Sequence, residues 1–488
     1  MDILHTSAFK LAEAIKAQTL SSLEVLEFFL ARVEKYNPAL NTVVALDTER
    51  ARARADAADK AAKSGEDWGP LHGVPMTIKD ALSTEGIVTV GGIPECAGNV
   101  PASNAISVQR YIDAGAIVFG KTNVPYMSSD LQSFNEVYGV TNNPWNLERT
   151  CGGSSGGAAA AVAAGLTPLE LGSDIGGSIR TPSHFNGVYG HKPSFGIVSQ
   201  RGHLPPGEHT LSESDLSVVG PIGTCTADLE RALDILVAPN PEDAKAYTLA
   251  LPPARTNDPK KLRVAVWSDD AFCPVDADIK AAIEAAADSL EAAGAHVDRN
   301  ARPDVDPEKN RQNYAFTLMA AMGAGMPDAV FEMMKDIATN ADPSDVSLPT
   351  LQARGIASSH RDWLRQMEKR QHIRAAWAAF FNDYDVLLCP CANVPAFPHD
   401  HEPDMSARTL QVNGEERPYF DVLGWAGMTL NALLPVTAAP VGLSRDGLPI
   451  GVQVVADYLE DKTALAVAAM LEQHHRAFCP PPGYGEVN

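Results

Sequence analysis

Three observations predict an α/β fold with strands buried by helices on both faces. Helical apolar spacing alternates with short, partly β-branched apolar runs along most of the chain. The 488 residues are 45% hydrophobic and 20% charged, enough to bury a large core without metal or disulfide staples. Strand-like runs recur on both sides of a long helical stretch, which favours one large unit with a helical cap over separate domains. The expected divisions of that single domain, 1–488, are N-terminal helices over 1–65, the core over 66–300, a helical cap insertion over 301–383 and a return to the core over 384–488.

The elements follow in order. Ser21 and Glu24 form a capping-box pattern, Leu23, Leu26, Leu30 and Val33 then recur at helical spacing, and Pro38 marks the exit. The Ala-rich run 48–63, with alternating charges, reads as a surface helix. Gly73-Val-Pro-Met-Thr-Ile-Lys79 reads as a strand with Lys79 at its end. A helix over 105–114 and a strand over 115–120 come next. Glycine and serine then cluster twice, at 152–157 and 174–180, around an Ala-rich run, 158–164, that reads as a small-residue helix. A strand over 168–172 leads into the second cluster. These clusters are short, unrepeated and flanked by apolar elements, so they are not flexible linkers. Beyond them lie a helix over 227–237, a strand over 262–267, a helix over 279–293 and a strand over 295–297. Residues 305–383 read as mostly helical with breaks near Pro343 and Pro349, and Met319, Met322, Met333 and Met334 there suit core filling better than an adaptable pocket. Strands over 385–389 and 448–455 precede a last helix.

Composition narrows the partners. Lys and Arg number 39 against 61 Asp and Glu, a net charge of −22, and phosphate binding needs clustered cations that are not present, so no nucleic-acid partner is expected. Seven scattered cysteines fit free thiols in a reducing compartment. The opening MDILHTSAFKLAEAIKAQ lacks the basic and apolar regions of a secretory signal, which points to the cytoplasm. The uncharged stretch 422–444 raises the question of a membrane, but Pro435, Pro440, Gly424, Gly427, Gly442 and Asn431 suit a buried helix–turn–strand instead.

Chemistry concentrates in the glycine/serine clusters. Ser154 satisfies G-x-S-x-G, but the turn-rich 142–151 ahead of it lacks the strand that a nucleophile elbow requires. In the second cluster Ile175, Gly176 and Gly177 precede Ser178, and two glycines let successive amides converge beside a hydroxyl, as an oxyanion hole needs. Lys79 is one candidate base, because desolvation at the end of an apolar strand lowers its pKa. His184 and His191 are others, and spacing alone leaves the choice open. Cys389-Pro-Cys391 with His399-Asp-His401 lacks zinc-site spacing, so no metal is expected. With neither a dinucleotide fingerprint nor a Walker A motif, no cofactor is expected either.

Several segments together carry a resemblance. They are Gly73-Val-Pro-Met-Thr-Ile-Lys79-Asp80, Phe119-Gly-Lys-Thr-Asn123, Gly139-Val-Thr-Asn-Asn-Pro-Trp-Asn146, Gly152-Gly-Ser-Ser-Gly-Gly157, Gly172-Ser-Asp-Ile-Gly-Gly-Ser-Ile-Arg180, Gly187-Val-Tyr-Gly-His-Lys-Pro193 and Gly447-Leu-Pro-Ile-Gly-Val-Gln453. In this order, from near the first helices to the last, they resemble the amidase signature family. The resemblance implies a single large mixed β-sheet core flanked by helices, with a mainly helical substrate cap. It implies hydrolysis of a carboxylic amide, with anilides, esters and carbamates open to the same cycle, so urethanase and aryl acylamidase activities are variants. The implied triad is Ser178 as nucleophile, Ser154 as a bridging serine after a cis peptide at Gly153, and Lys79 as base. Ile175, Gly176 and Gly177 would supply oxyanion amides, with support from Ser155, Asp174 and Arg180. Ile175 stands where many members carry Thr, and Ala158 where Ser is frequent; neither change removes a catalytic atom. The implied partner is a small-molecule amide, anilide or carbamate, with a homodimer left open. Pocket walls are expected from 126–133, 305–383 and 422–434. Two alternatives remain: a glutamine-hydrolysing amidotransferase subunit working with a partner, and a serine α/β-hydrolase using Ser154.

Overall fold

Eight strands of the computed structural model, which describes residues 2–205, 207 and 209–486, form one mixed sheet. Across it run His296–Asp298, Arg263–Val266, Val386–Pro390, Pro449–Val455, Val436–Leu443, Tyr189–Lys192, Val218–Gly223 and Leu169–Asp174. The first three are parallel and the rest pair antiparallel. Val386–Pro390 and Pro449–Val455 are buried at every position, which is why they read as continuous apolar runs rather than alternating ones. The α/β class and the mixed sheet are as expected.

Three further strands form a small sheet of their own. Ile117–Thr122 lies at its centre, antiparallel to Val43–Leu46 and parallel to Pro75–Lys79. The Thr77 amide donates to Thr167 Oγ1 at 3.1 Å, holding this sheet beside the start of the Leu169–Asp174 strand. The strand ending in Lys79 and the strand ending in Asp174 are thereby set side by side.

Several elements differ in detail from expectation. The capping box forms, with Ser21 and Glu24 bonding each other's backbone amides. Pro38, however, lies within the helix Ser22–Leu40, which ends at Asn41 with φ of 52°. So close to the terminus a proline removes only a last-turn hydrogen bond, and the helix tolerates it. Helix Thr48–Ser64 is less superficial than its charges suggest, because Ala51, Ala55, Ala58, Ala61 and Ala62 form a buried face. Pro349 does not break the cap but sits in the first turn of Leu348–Ile356, where its missing N–H costs nothing. Asn146–Thr150 is a short strand paired with Asn142–Asn143, not a loop.

The cap comprises helices Pro307–Gly323, Asp328–Asn340, Leu348–Ile356 and His360–Phe380. Stretch 422–444 forms helix Leu423–Asn431 and strand Val436–Leu443, and among the described residues no helix is long and apolar enough to cross a membrane. All seven cysteines are free thiols. Cys389 and Cys391 are buried, whereas the His401 ring lies tilted against those of Phe134 and His399, and among the described residues no group of three or more His, Cys, Asp or Glu is placed to hold a metal ion.

Candidate active site

The apolar, partly β-branched run before Lys79 folds as a strand whose five residues are all buried, so it delivers a lysine into the interior. Lys79 Nζ lies 2.7 Å from Ser154 Oγ and 2.9 Å from Ser173 Oγ. Burial pulls its pKa down to about 7, against the opposing charges of Asp174 and Glu170. An amine in this state is substantially neutral near pH 7, whereas an ordinary lysine is not.

Ser154 belongs to the tight turn between strand Asn146–Thr150 and helix Gly156–Ala163, and the Gly153–Ser154 peptide is cis. The turn packs against backbone on both flanks. A Cβ on Gly153 would lie 2.5 Å from the Asp130 carbonyl oxygen, and one on Gly157 would lie 2.5 Å from the Asn123 amide nitrogen. Ser155 fastens the turn to the neighbouring strand, its Oγ donating to the Ser173 carbonyl at 3.2 Å and its amide donating to the Ser178 carbonyl at 3.0 Å.

The second cluster turns sharply after Asp174. Gly177 has φ of 107°, which only glycine adopts readily. The Asp174 carboxylate organises this turn, accepting from the amides of Gly177 (2.8 Å) and Ile179 (3.0 Å) and from the Arg180 guanidinium. Burial alone would raise its pKa, but the Arg180 charge and these bonds hold it at about 2. The Gly177 amide is thus committed to Asp174, while the amides of Ile175 and Gly176 make no hydrogen bond among the described residues. Ser178 is 6% exposed beside them. Arg180 Nη1 donates to the Ala426 carbonyl, Thr429 Oγ1 and Gln453 Oε1, so its contacts are internal.

The structure therefore brings Lys79, Ser154, Ser155, Asp174, Ile175, Gly176, Gly177, Ser178 and Arg180 into one region. The two histidines nearest in sequence to Ser178 are engaged elsewhere. His184 donates from Nε2 to the Val394 carbonyl at 3.1 Å and accepts the Gly451 amide on Nδ1. His191 faces Thr437 and Asp461. Three groups escaped the sequence reading. Ser173 touches Lys79 directly, Glu170 lies buried on the same strand with its pKa pushed up to about 7, and His203 contacts Ser173 at 2.8 Å. The period-two spacing of residues 170, 172 and 174 carried a signal for Glu170; His203 had none, because it arrives from a distant loop.

The expected walls reach the site. The 130–132 backbone abuts Gly153, and Tyr314 of the cap and Leu423 lie nearest to Gly176. Tyr314 also donates its hydroxyl to the Ile175 carbonyl at 3.1 Å, and Ile175 packs against a cluster containing Leu216, Tyr314 and Leu318.

Fold and site together define an α/β protein whose buried lysine and serines meet at glycine/serine-rich turns. The chain belongs to the amidase family, whose model matches residues 24–465. It is 34% identical over 474 residues to an indoleacetamide hydrolase of Bradyrhizobium diazoefficiens, covering 96% of this chain and 86% of that protein. It is also 34% identical over 481 residues to a glutamyl-tRNA(Gln) amidotransferase chain of a Synechococcus species, covering 93% of each. A solved structure described as a vestigial protein complex bearing on the evolutionary origins of an s-triazine catabolic enzyme superposes with a TM-score of 0.80 at 28% identity, covering 97% of this chain and all of that one.

Proposed function

We propose that the protein hydrolyses a carboxylic amide through an acyl-enzyme on Ser178, with Ser154 relaying protons to Lys79. The observation that carries this reading is the 2.7 Å contact between the buried Lys79 amine, whose pKa burial pulls down to about 7, and Ser154 Oγ. Lys79 takes the Ser154 proton as Ser154 takes the Ser178 proton, and the Ser178 oxygen attacks the carbonyl carbon. Negative charge then develops on the carbonyl oxygen, where the Ile175 and Gly176 amides are available as donors. Ser154 returns a proton to the departing amine, and water, activated by the same relay, releases the acid from Ser178.

Support for a substrate class comes from the groups beside the Gly176 turn. Ile175, Leu423 and Tyr314 favour an apolar acyl or aryl group, consistent with the similarity to an indoleacetamide hydrolase. Arg180 donates to protein acceptors, which leaves it unavailable to hold a substrate carboxylate, and glutamine, the substrate of the amidotransferase alternative, stays in the screen. Anilides and carbamates pass through the same tetrahedral oxyanion and belong in the same screen.

The test is hydrolysis of short amides, aryl amides, anilides, carbamates and glutamine by the wild type, Lys79→Ala and Ser178→Ala, with labelling by an activated phosphonate. Turnover of apolar or aryl amides, lost in both variants, with label on Ser178, is expected. Wild-type rates in either variant, or label on Ser154 that persists in Ser178→Ala, overturn the acyl-enzyme assignment. Glutamine as the best substrate overturns the substrate class.

A further inference from the structure

Ser173 lies between two nitrogens. Its Oγ is 2.9 Å from Lys79 Nζ and 2.8 Å from His203 Nε2. The other ring nitrogen, His203 Nδ1, is 2.9 Å from the Pro205 carbonyl oxygen. A carbonyl can only accept, so Nδ1 carries the ring proton and Nε2 presents a lone pair. Burial moves the His203 pKa down to about 4, which keeps the ring neutral. The Ser173 hydroxyl has one proton, and that proton is directed to His203. Toward Lys79 it can only accept.

This fixes the orientation of the base. A neutral amine has two N–H donors and one lone pair. If one N–H is committed to Ser173, the lone pair remains for the Ser154 hydroxyl, which is the proton transfer the acyl-enzyme reading requires. Without His203, Ser173 is free to turn its proton onto Lys79, where it competes with Ser154 for the single lone pair. The backbone supports this arrangement, since His203 forms an isolated bridge with Leu82, three residues beyond Lys79, and its amide bonds the Gln200 carbonyl.

We propose that His203 is a positioning residue, locking the Ser173 hydroxyl so that the Lys79 lone pair faces Ser154. It rests on the proposed roles of Lys79, Ser154 and Ser178. The His203 ring bonds Ser173 and the Pro205 carbonyl, so it acts on Lys79 through Ser173.

The experiment is a double-mutant cycle on the full-length enzyme with its best amide substrate. His203→Ala is expected to lower kcat roughly tenfold to a hundredfold, the usual cost of losing a partner that orients a catalytic group, with KM little changed. Ser173→Ala removes the competing proton, so adding His203→Ala to it should change kcat by less than about threefold. His203→Gln, whose amide can offer an acceptor to Ser173, should recover part of the loss and stands in for His203→Ala if that variant does not fold. An unchanged kcat in the single variant overturns the proposal, as does an equal loss with and without Ser173, since packing alone would act in both backgrounds. Failure of the acyl-enzyme reading is seen separately, as activity retained in Ser178→Ala.

Discussion

Asp174 and Arg180 meet through two parallel hydrogen bonds, Nε to Oδ2 at 3.0 Å and Nη2 to Oδ1 at 2.9 Å, with both side chains wholly buried. The pair connects the glycine turn before Ser178 to helix Leu423–Asn431 and strand Pro449–Val455 through Ala426, Thr429 and Gln453. A buried pair of this kind adds little net stability against an apolar replacement of both partners, but breaking it strands a charge. Arg180→Ala should therefore cost about 3–5 kcal/mol in urea unfolding. Arg180→Lys should recover little, because an ammonium cannot span both carboxylate oxygens. A loss below about 1 kcal/mol for Arg180→Ala would show that the turn does not depend on this pair.

The pH dependence of turnover should report Lys79. The neutral amine is the active form, so kcat/KM should fall as pH drops through about 7 and level off above it. The nearby Glu170 carboxylate favours the charged amine. Glu170 itself titrates at about 7, so its charge is only partial on the acid limb; Glu170→Gln removes what remains and should move the limb slightly to lower pH in a pH–rate profile. A limb that moves upward counts against Lys79 as the titrating group.

Gly153→Ala isolates the placement of Ser154. Its Cβ would come within 2.5 Å of the Asp130 carbonyl oxygen and 2.7 Å of the Gln132 amide nitrogen, both backbone atoms. The Asp130 carboxylate is itself held by Arg408 at 2.7 Å and Tyr419 at 2.6 Å, so the 130–132 segment cannot readily retreat. The turn must shift instead. A displacement of about 1 Å at a catalytic group costs about a hundredfold, and kcat should fall by at least that much while phosphonate labelling of Ser178 slows in parallel.

How far the sequence reveals this site depends on how local each contact is. Local pattern alone makes Lys79 and Ser178 candidates, but it leaves Lys79 and the histidines open as base, and the bridging role of Ser154 comes only from the resemblance to the amidase signature family. The α/β class is readable, since periodicity is a local property. Ser173 and Glu170 sit on strand Leu169–Asp174, whose six residues are all buried, and although spacing sets Glu170 on the same face as Asp174, nothing local names the partner of either Glu170 or Ser173. Their partners, Lys79 and Thr122, come from the separate three-stranded sheet, and no spacing rule predicts how that sheet docks. His203 is further removed still. Its partner is thirty residues away, and its tautomer depends on the Pro205 carbonyl, a backbone atom without a sequence signature.

Lys79 should also make the protein less stable than it need be, in a way that pH reveals. Its pKa is about 10.4 in an unfolded chain and about 7 in the fold. Between those values the unfolded state binds the extra proton, so stability rises with pH across that window. At and below about pH 7 the penalty for burying the amine is complete, and above about 10 it has vanished. Lys79→Met keeps the apolar stem and removes the ionisable group. It should be inactive yet melt higher than the wild type at pH 7, with an advantage that shrinks as pH approaches 10. Melting curves of the two proteins at pH 7, 8.5 and 10 decide the matter. An advantage independent of pH would attribute the gain to packing, and no advantage at pH 7 would mean that the buried lysine keeps its charge and is not the neutral base.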